Sequence, residues 1–398
     1  MPSRETNLAQ KQNGLPFTEP AYMNLLKKIL KKLLTRPVTW LANRVSSAPK
    51  KENVMEALSD LYQQILTNPG KKGLLLPFDP STQSLIIFSD EHKGTRNGAD
   101  DFAACEKNYL AALDYYNANN FFFVNMGDCE ELWENTIFGL MKRNKRTFAK
   151  EKLFVDRKAY CKIFGNHDLF WDNDPLASVY LKRMYGEAVK IYTGIVLQVS
   201  NTQGGHTDIF CTHGHQGDAQ SDGNAFSKWF VSYIWGPLQI FLEINTNTPA
   251  TNDHDKTLHN LYMYEWSAEQ QNVMLITGHT HQPVFCSLTH LERLYLRLEE
   301  ARAKKDEKDI ADIEAEIPRR RREYDFVNNS FRNMKPAYFN SGCCCFDDGT
   351  ITGIEIGHGC IRLIKWNTIN GKPARTVAEE SKFQEVAEKI ATYVPSNR

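Results

Sequence analysis

The stretch Leu85-Ile86-Ile87-Phe88-Ser89-Asp90-Glu91-His92 decides the interpretation of this chain, because an apolar run ends directly in metal-ligand side chains. Four later apolar runs end in the same way. They lead into Gly127-Asp128, Gly165-Asn166-His167-Asp168, His213-Gly214-His215 and Gly278-His279-Thr280-His281. Apolar runs of this length, bounded by Gly and polar residues, predict buried strands. Since ligands bind outside the carboxyl ends of strands in open α/β sheets, the five junctions predict one metal site built from distant loops.

The overall composition permits a large core and provides no net charge. The chain has 398 residues, 41% of them hydrophobic, and its 48 Lys+Arg balance 48 Asp+Glu. This balance argues against nucleic acid as a partner, since such affinity would need a local patch. Nine Cys, three of them consecutive at Cys343-Cys344-Cys345, have neither disulfide-framework nor zinc-site spacing. With no apolar signal segment behind the first residues, these features predict a cytoplasmic location.

Residues 1–52 are expected to form an N-terminal extension that contains a basic amphipathic helix at 21–47. Leu25, Leu26 and Ile29 fall on one face of this helix, and lysines spread over the other. A helix of this kind can lie on an anionic membrane surface, which would make the protein membrane-peripheral. The alternative is a helix that docks on the catalytic core with its lysines in solvent.

Residues 53–286 alternate strand-like and helical stretches, which is typical of an α/β domain. Residues 287–335 interrupt that alternation with helical spacing amid dense charge, so we expect an inserted helical arm. The run from Arg319 to Arg322 could bind phosphate or a partner, although charge runs more often form a solvated face.

Strand chemistry returns at residues 336–366, which we expect to complete the core sheet. The turn Asp347-Asp348-Gly349 lies between two β-rich runs and predicts a hairpin. Residues 367–398 are expected to form a polar tail with a short helix.

Seven side chains at the five junctions are candidate metal ligands: Asp90, His92, Asp128, Asn166, His213, His279 and His281. In an extended backbone, the one-residue separation of Asp90 and His92 places both side chains on the same side. The set mixes nitrogen and oxygen atoms without thiolate, which favours Mn, Fe or Zn. Seven ligands exceed the needs of one tetrahedral ion and suit two divalent ions that share a carboxylate.

In their order along the chain, the five motifs resemble those of the calcineurin-like metallophosphoesterases, over roughly residues 84–284. Asn340-Ser341-Gly342 resembles the closing strand of that family. The resemblance implies a four-layer αββα core, and the N-terminal extension, the helical arm and the tail fall outside it.

The resemblance also implies roles for individual residues. One metal ion would be held by Asp90, His92, Asp128 and His281, and the second by Asp128, Asn166, His213 and His279. His167 matches the family histidine that contacts the substrate phosphate and protonates the leaving oxygen, with Asp168 as its expected orienting partner. His215 and Asp218 are expected to support the ligands from behind.

The implied activity is metal-dependent hydrolysis of a phosphomonoester, phosphodiester or pyrophosphate by a metal-bridging hydroxide. The expected substrate is a phosphorylated small molecule or a lipid-linked compound. No Arg precedes Gly165-Asn166-His167-Asp168, as it does in the Ser/Thr protein phosphatases, so a protein phosphatase is disfavoured.

Two alternatives remain open at this point. An aromatic stretch at 226–241 and the basic helix partly resemble the family branch that cleaves UDP-diacylglucosamine, although His215 replaces the Asp usual there. A protein of another class, a non-catalytic scaffold that retains the fold, is the other alternative.

Overall fold

Two mixed β-sheets of seven strands each form the centre of the computed structural model. The residues that it describes are 50–96, 100–132, 135–201, 205–217, 253–321 and 333–394. The basic helix expected at 21–47, the aromatic stretch at 226–241, Asp218 and Arg322 lie outside these residues. None of the helices in the described part of the chain has both the length and the apolar character that crossing a membrane requires.

The first sheet carries two of the five predicted junctions. Its strands, in spatial order, are β1 (Gly73–Pro77), β6 (Gly194–Ser200), β7 (His206–Thr212), β8 (Val273–Thr277), β11 (Tyr338–Asn340), β9 (Val284–Phe285) and β10 (Leu288–Thr289). Strands β7, β8 and β11 run parallel to one another. The loops after β7 and β8 therefore leave the same edge of the sheet.

The second sheet carries the other three junctions. Its strands, in spatial order, are β14 (Lys372–Lys382), β13 (Cys360–Ile369), β12 (Ile351–Gly357), β2 (Leu85–Phe88), β3 (Phe122–Met126), β4 (Tyr160–Ile163) and β5 (Ile191–Tyr192). Strands β2, β3, β4 and β5 are parallel neighbours. All five apolar runs that the sequence marks as strands are thus strands.

Helices cover the outer faces of both sheets. The α-helices in the described residues are α1 (Lys51–Thr67), α2 (Glu106–Ala118), α3 (Ile137–Arg143), α4 (Lys145–Asp156), α5 (Phe170–Asn173), α6 (Ala177–Tyr185), α7 (Asp253–Glu269), α8 (His290–Lys304), α9 (Glu307–Arg320) and α10 (Phe383–Thr392). Buried side chains of α1 and α7 pack on the first sheet, and those of α2 and α4 pack on the second. The order helix, sheet, sheet, helix is the four-layer αββα arrangement that the family resemblance implies.

The main core lies between the two sheets and follows the two-residue period of the strands. In β2, Leu85 and Ile87 belong to the apolar cluster between the sheets. Ile86 and Phe88 instead pack against the outer helices. Because both faces of the strand are buried, its sequence is continuously apolar rather than alternating.

The charged segment at 287–335 contains the helical hairpin of α8 and α9. It has a small core of its own, in which Leu294, Leu298 and Ala301 of α8 contact Ile313 of α9. The ion pair of Arg293 with Glu379, at 2.8 Å, joins α8 to β14. Among the described arginines of the basic run, Arg320 lies 3.2 Å from Glu316.

Two expectations for the C-terminal part were wrong. The turn at 347–349 does not close a hairpin, because β11 belongs to the first sheet and β12 to the second, so this loop crosses between sheets. The stretch after residue 366 contains β14 and α10 in addition to the end of β13, rather than a polar tail with one short helix. The sequence pattern did not predict β14, because most of its side chains are exposed and an edge strand with little buried surface shows no apolar run.

A matched pair of Leu→Ala substitutions tests where the core lies. Leu85 is fully buried between the sheets, whereas Leu153 on α4 is 40% exposed. Leu85→Ala should lower the free energy of unfolding by about 2–5 kcal/mol, because it leaves a cavity. Leu153→Ala should lower it by about 1 kcal/mol or less. Urea denaturation measures both, and equal losses would contradict the assigned core.

Candidate metal centre

The carboxyl ends of β2, β3, β4, β7 and β8 meet at one place, so the two sheets supply one site together. Asp90, after β2, has its Oδ1 atom 3.2 Å from His213 Nε2 and 3.3 Å from His281 Nε2. His92 Nε2 lies 3.3 Å from His281 Nε2. Side chains almost 190 residues apart in sequence are therefore in contact, as the junction pattern predicts.

Asp128 lies at the centre of this cluster. Its Oδ2 atom is 3.4 Å from His213 Nε2 and 3.9 Å from His92 Nε2. Potential ligand atoms of His92, Asp128 and His167 all lie within 4.8 Å of one another, and so do those of Asp128, His213 and His279. Asp128 belongs to both groups, and its carboxylate has two oxygens, so this side chain can serve two cations.

The backbone at the ligands is strained in a consistent way. Asp90, His92, Asp128, His279 and His281 have φ angles of 54°, 48°, 50°, 69° and 58°. The left-handed region is uncommon for residues other than glycine and is concentrated at functional sites. Sharp turns directly after the strands bring these side chains back over the strand ends.

Glycines at two junctions leave room for the carboxylates. A Cβ atom on Gly165 would overlap the carboxylate and the backbone nitrogen of Asp128. One on Gly278 would overlap Asp90 and the Ser89 hydroxyl. The Gly in each of these motifs is therefore required by packing against a ligand from another strand.

Two buried polar atoms support the assignment of metal ligands. Asn166 Oδ1 and His279 Nε2 are buried without a hydrogen-bond partner among the described residues. Burial and the neighbouring His259 and His213 hold the pKa of His279 well below its ordinary value, so its ring is neutral and has a free lone pair. Because buried polar atoms are normally hydrogen-bonded, an amide oxygen and an imidazole nitrogen in this state fit ligands of a cation.

The electrostatics of the pocket favour positive charge. Burial alone would lower the pKa of His92, but its hydrogen bond to Glu131 and the charge of Asp128 raise it to about 10. Asp128 and Asp90 likewise raise the pKa of His213 to about 10 against the effect of burial. The carboxylates thus attract protons onto the imidazoles, and divalent cations can provide the same compensation. The donor set therefore fits metal ions.

Glu131, rather than Asp168, is the carboxylate that holds the ring of His167. Glu131 Oε2 lies 2.8 Å from His167 Nδ1 and 3.0 Å from His92 Nδ1. Burial lowers the pKa of His167, but Glu131 and Asp128 outweigh it and raise the pKa above its usual value. The predicted pairing of Asp168 with His167 was wrong.

Asp168 instead joins two strand ends. Its carboxylate accepts hydrogen bonds from the backbone N–H of Cys129, at 3.0 Å, and of Gly165, at 2.5 Å. The side chain points back under the loop because it satisfies amides that the turns after β3 and β4 leave without strand partners. It positions the loops that carry Asp128 and Asn166.

Further polar groups surround the ligands from behind. His215 Nδ1 lies 3.0 Å from His213 Nδ1, in the supporting position that the sequence predicts for it. His259 Nε2 lies 2.5 Å from the carbonyl oxygen of Gly214. His259 could not be predicted from the sequence, because it lies within helix α7 and outside every strand-end motif.

Cys345 was also missed as a neighbour of the site. Its Sγ atom lies 3.8 Å from His281 Nδ1, in the loop that crosses from β11 to β12. Together with His92, these residues form a third group of potential ligand atoms within 4.8 Å. A run of three Cys has no recognisable ligand spacing, so only the fold identifies the member that faces the histidines.

The contrast between Glu131 and Asp168 gives a direct test. In chelator-treated protein, Glu131→Gln should lower the pKa of His167, because the adjacent negative charge is lost. Asp168→Asn, the matched control, should leave that pKa nearly unchanged. Histidine ring signals followed by NMR against pH, assigned with His167→Gln, measure this. The opposite ranking of the two variants would restore Asp168 as the partner.

Comparisons with known proteins identify the family of this chain. The chain matches the sequence profile of the calcineurin-like phosphoesterases over residues 84–283. No curated protein gives a match. A single mutant of Vps29 from Entamoeba histolytica aligns at 14% identity and a TM-score of 0.30, covering 76% of this chain and 99% of that one. Vacuolar protein sorting 29 from Cryptosporidium parvum gives 10% and 0.30, with coverages of 75% and 98%.

A dimetal phosphatase from Danio rerio aligns at 7% identity and a TM-score of 0.31, covering 75% of this chain and all of that one. The family profile spans half of the 398 residues and includes all five strand-end motifs. The chain therefore belongs to the calcineurin-like phosphoesterase family.

Proposed function

We propose that this protein hydrolyses a phosphoester bond with the help of two divalent metal ions that share Asp128. Family membership supports a metal-dependent phosphoesterase. The observation that carries the proposal is that Asp128 belongs to two groups of potential ligand atoms, one with His92 and His167 and the other with His213 and His279. A carboxylate with two oxygens between two imidazole clusters suits a dinuclear site.

The ligands divide into two sets around this carboxylate. The first set consists of Asp90, His92, Asp128 and His281, and the second of Asp128, Asn166, His213 and His279. Mixed nitrogen and oxygen donors favour Mn, Fe or Zn ions. When bound, such ions neutralise charge that develops on the phosphoryl group and lower the pKa of an attacking water.

His167 is the group that we assign to the leaving oxygen. Glu131 Oε2 lies 2.8 Å from Nδ1 of this ring, and we assign Nε2 as the nitrogen that donates the proton. Glu131 and Asp128 raise the pKa of His167 above its usual value against the effect of burial, which favours the protonated ring. Its side chain is 16% exposed, so a substrate can approach it. These properties suit a general acid.

The substrate is proposed only as a class. A phosphomonoester, a phosphodiester or a pyrophosphate can each place a phosphoryl group over the ligand cluster. A lipid-linked nucleotide pyrophosphate is a narrower candidate whose motivating segments, 21–47 and 226–241, lie outside the described residues. A panel of nucleotides, cyclic nucleotides and nucleotide-lipid pyrophosphates would rank these classes.

Asp128→Asn tests the shared carboxylate. The substitution removes the negative charge that both ligand sets share. The variant should therefore bind less than half as much metal as the wild type. Hydrolysis of chromogenic phosphomonoesters and phosphodiesters with added Mn²⁺ should fall by about 10³-fold or more. Asp156→Asn, on the exposed end of α4, is the matched control and should change neither quantity. Metal-bound wild type that hydrolyses no ester would favour the scaffold alternative.

His167→Gln tests the general acid. Turnover should fall by about 10²–10⁴-fold for esters of aliphatic alcohols, whose leaving oxygens need a proton. The loss should be much smaller for nitrophenyl esters, since nitrophenolate leaves without protonation. Metal content, determined by elemental analysis, should stay at the wild-type level. Equal losses for both ester types would remove His167 from this role.

A further inference from the structure

Three large apolar side chains are exposed on two adjoining helices, α3 and α6. Phe138 on α3 is 58% exposed, and Leu176 and Val179 at the start of α6 are 52% and 58% exposed. The rings of Phe138 and Tyr180 are in contact, with centroids 5.7 Å apart, which places α3 against α6. Single exposed apolar residues need no explanation, but a group of them on adjoining helices marks an interaction surface.

This surface is continuous with the candidate site. The ring of Tyr180 also lies 6.1 Å from that of Phe170, which follows His167 by three residues. On the other side, the loop that carries Glu131 continues into α3. The exposed side chains therefore lie at the outer end of the same two loops that hold the proposed general acid.

Basic side chains surround the apolar group. Lys142 follows Phe138 by one helical turn, and Lys182 and Arg183 follow Val179 by three and four residues, so each lies on the same helical face as its apolar neighbour. Arg143, Lys145 and Arg146 extend the positive charge along the junction of α3 and α4. These three cations and the three named before them are all exposed. We call Phe138, Leu176, Val179, Lys142, Lys182 and Arg183 the α3–α6 surface.

The cations of this surface have no ion-pair partners in the described ranges, and one carboxylate lies at its edge, where Asp174 Oδ1 accepts a hydrogen bond from the Leu176 backbone N–H at 2.6 Å. Throughout the described ranges, no acidic side chain lies within ion-pair distance of any of these six cations. By contrast, the neighbouring Lys150, Lys152 and Lys158 pair with Asp114, Asp156 and Glu187. In a chain with equal numbers of basic and acidic residues, this is a local cationic patch with apolar side chains at its centre.

We propose that the α3–α6 surface docks on an anionic lipid bilayer. Phe138, Leu176 and Val179 would enter the interface, while the basic side chains would face lipid phosphates. An acidic protein could pair with the cations alone. A bilayer also buries exposed aliphatic and aromatic side chains at the boundary between headgroups and acyl chains, so it fits both parts of this surface. Docking would bring the His167 loop to the membrane, whichever phosphoester is hydrolysed.

Vesicle flotation with the full-length protein tests this docking. Wild type should float with vesicles that contain phosphatidylserine and not with pure phosphatidylcholine, and added salt should weaken binding. Lys142→Ala/Lys182→Ala/Arg183→Ala should weaken binding by roughly 100-fold, at about fivefold for each cation. Phe138→Ser/Val179→Ser should weaken it as well, because the apolar insertion is lost.

Matched controls come from the opposite end of the second sheet. Ile369→Ser/Val377→Ser removes two side chains that are each 44% exposed on the β13–β14 hairpin, and Lys372→Ala removes a nearby exposed cation. Both should float like wild type. Circular dichroism melting curves verify that each variant is folded. If Phe138→Ser/Val179→Ser does not fold, the variant that lacks the three cations decides the outcome.

Three results would overturn the proposal. These are wild type that does not float with anionic vesicles, wild-type flotation by the folded charge variant, and binding to soluble polyglutamate without binding to vesicles. The second result would assign membrane binding to another part of the chain, and the third would assign the surface to an acidic protein.

Discussion

The ionised carboxylate of Asp128, buried where the two sheets meet, is the constraint on which the rest of the site depends. The residue is only 2% exposed. Burial would raise the pKa of this carboxyl, but the imidazoles of His213 and His167 hold it well below its usual range. A buried anion of this kind is stable only with cationic or hydrogen-bonding partners around it. Because those partners come from both sheets, the carboxyl ends of β3, β4 and β7 must stay together.

Side chains that alternate with the candidate ligands also hold these strand ends together, from the face of the loop that points away from the site. Asp90 and His92 face the site, whereas Glu91 and Lys93 point away from it into the interior. Lys93 Nζ lies 2.9 Å from Glu151 on α4, and Lys162 of β4 lies 2.9 Å from Glu130.

These buried ion pairs connect the loops after β2 and β3 to β4 and to helix α4. Removing one partner would leave an uncompensated buried charge, which is strongly destabilising. Burial, together with the nearby Glu151 and Glu130, also raises the pKa of Glu91 to about 7 against the influence of Lys93 and Lys162. The loops that carry the candidate ligands are thus fixed on their inner side by a buried network of ion pairs.

The sequence predicted the parts of this arrangement that depend on local patterns. Apolar runs ending in ligand types located β2, β3, β4, β7 and β8, because both faces of these strands are buried. The sequence did not predict β14, because the exposed side chains of this strand form no apolar run. It wrongly predicted a hairpin at the Asp-Gly turn 347–349, because the flanking strands belong to different sheets. Local turn chemistry carries no information about which sheet a strand joins.

Within the site, the errors have the same origin. Asp168 is adjacent to His167 in sequence, but successive side chains in the loop point in different directions, and Glu131 from another strand reaches the ring instead. His259 and Cys345 likewise approach the ligands from α7 and from a loop between sheets. Contacts of this kind depend on tertiary packing, which one sequence without its fold does not specify.

Anomalous diffraction from crystals grown with Mn²⁺ would show whether two metal ions share Asp128. Two peaks about 3.5–4 Å apart are expected, one on each side of the Asp128 carboxylate. The first should contact Asp90, His92 and His281, and the second should contact Asn166, His213 and His279. A single peak, or two peaks that do not share Asp128, would contradict the account.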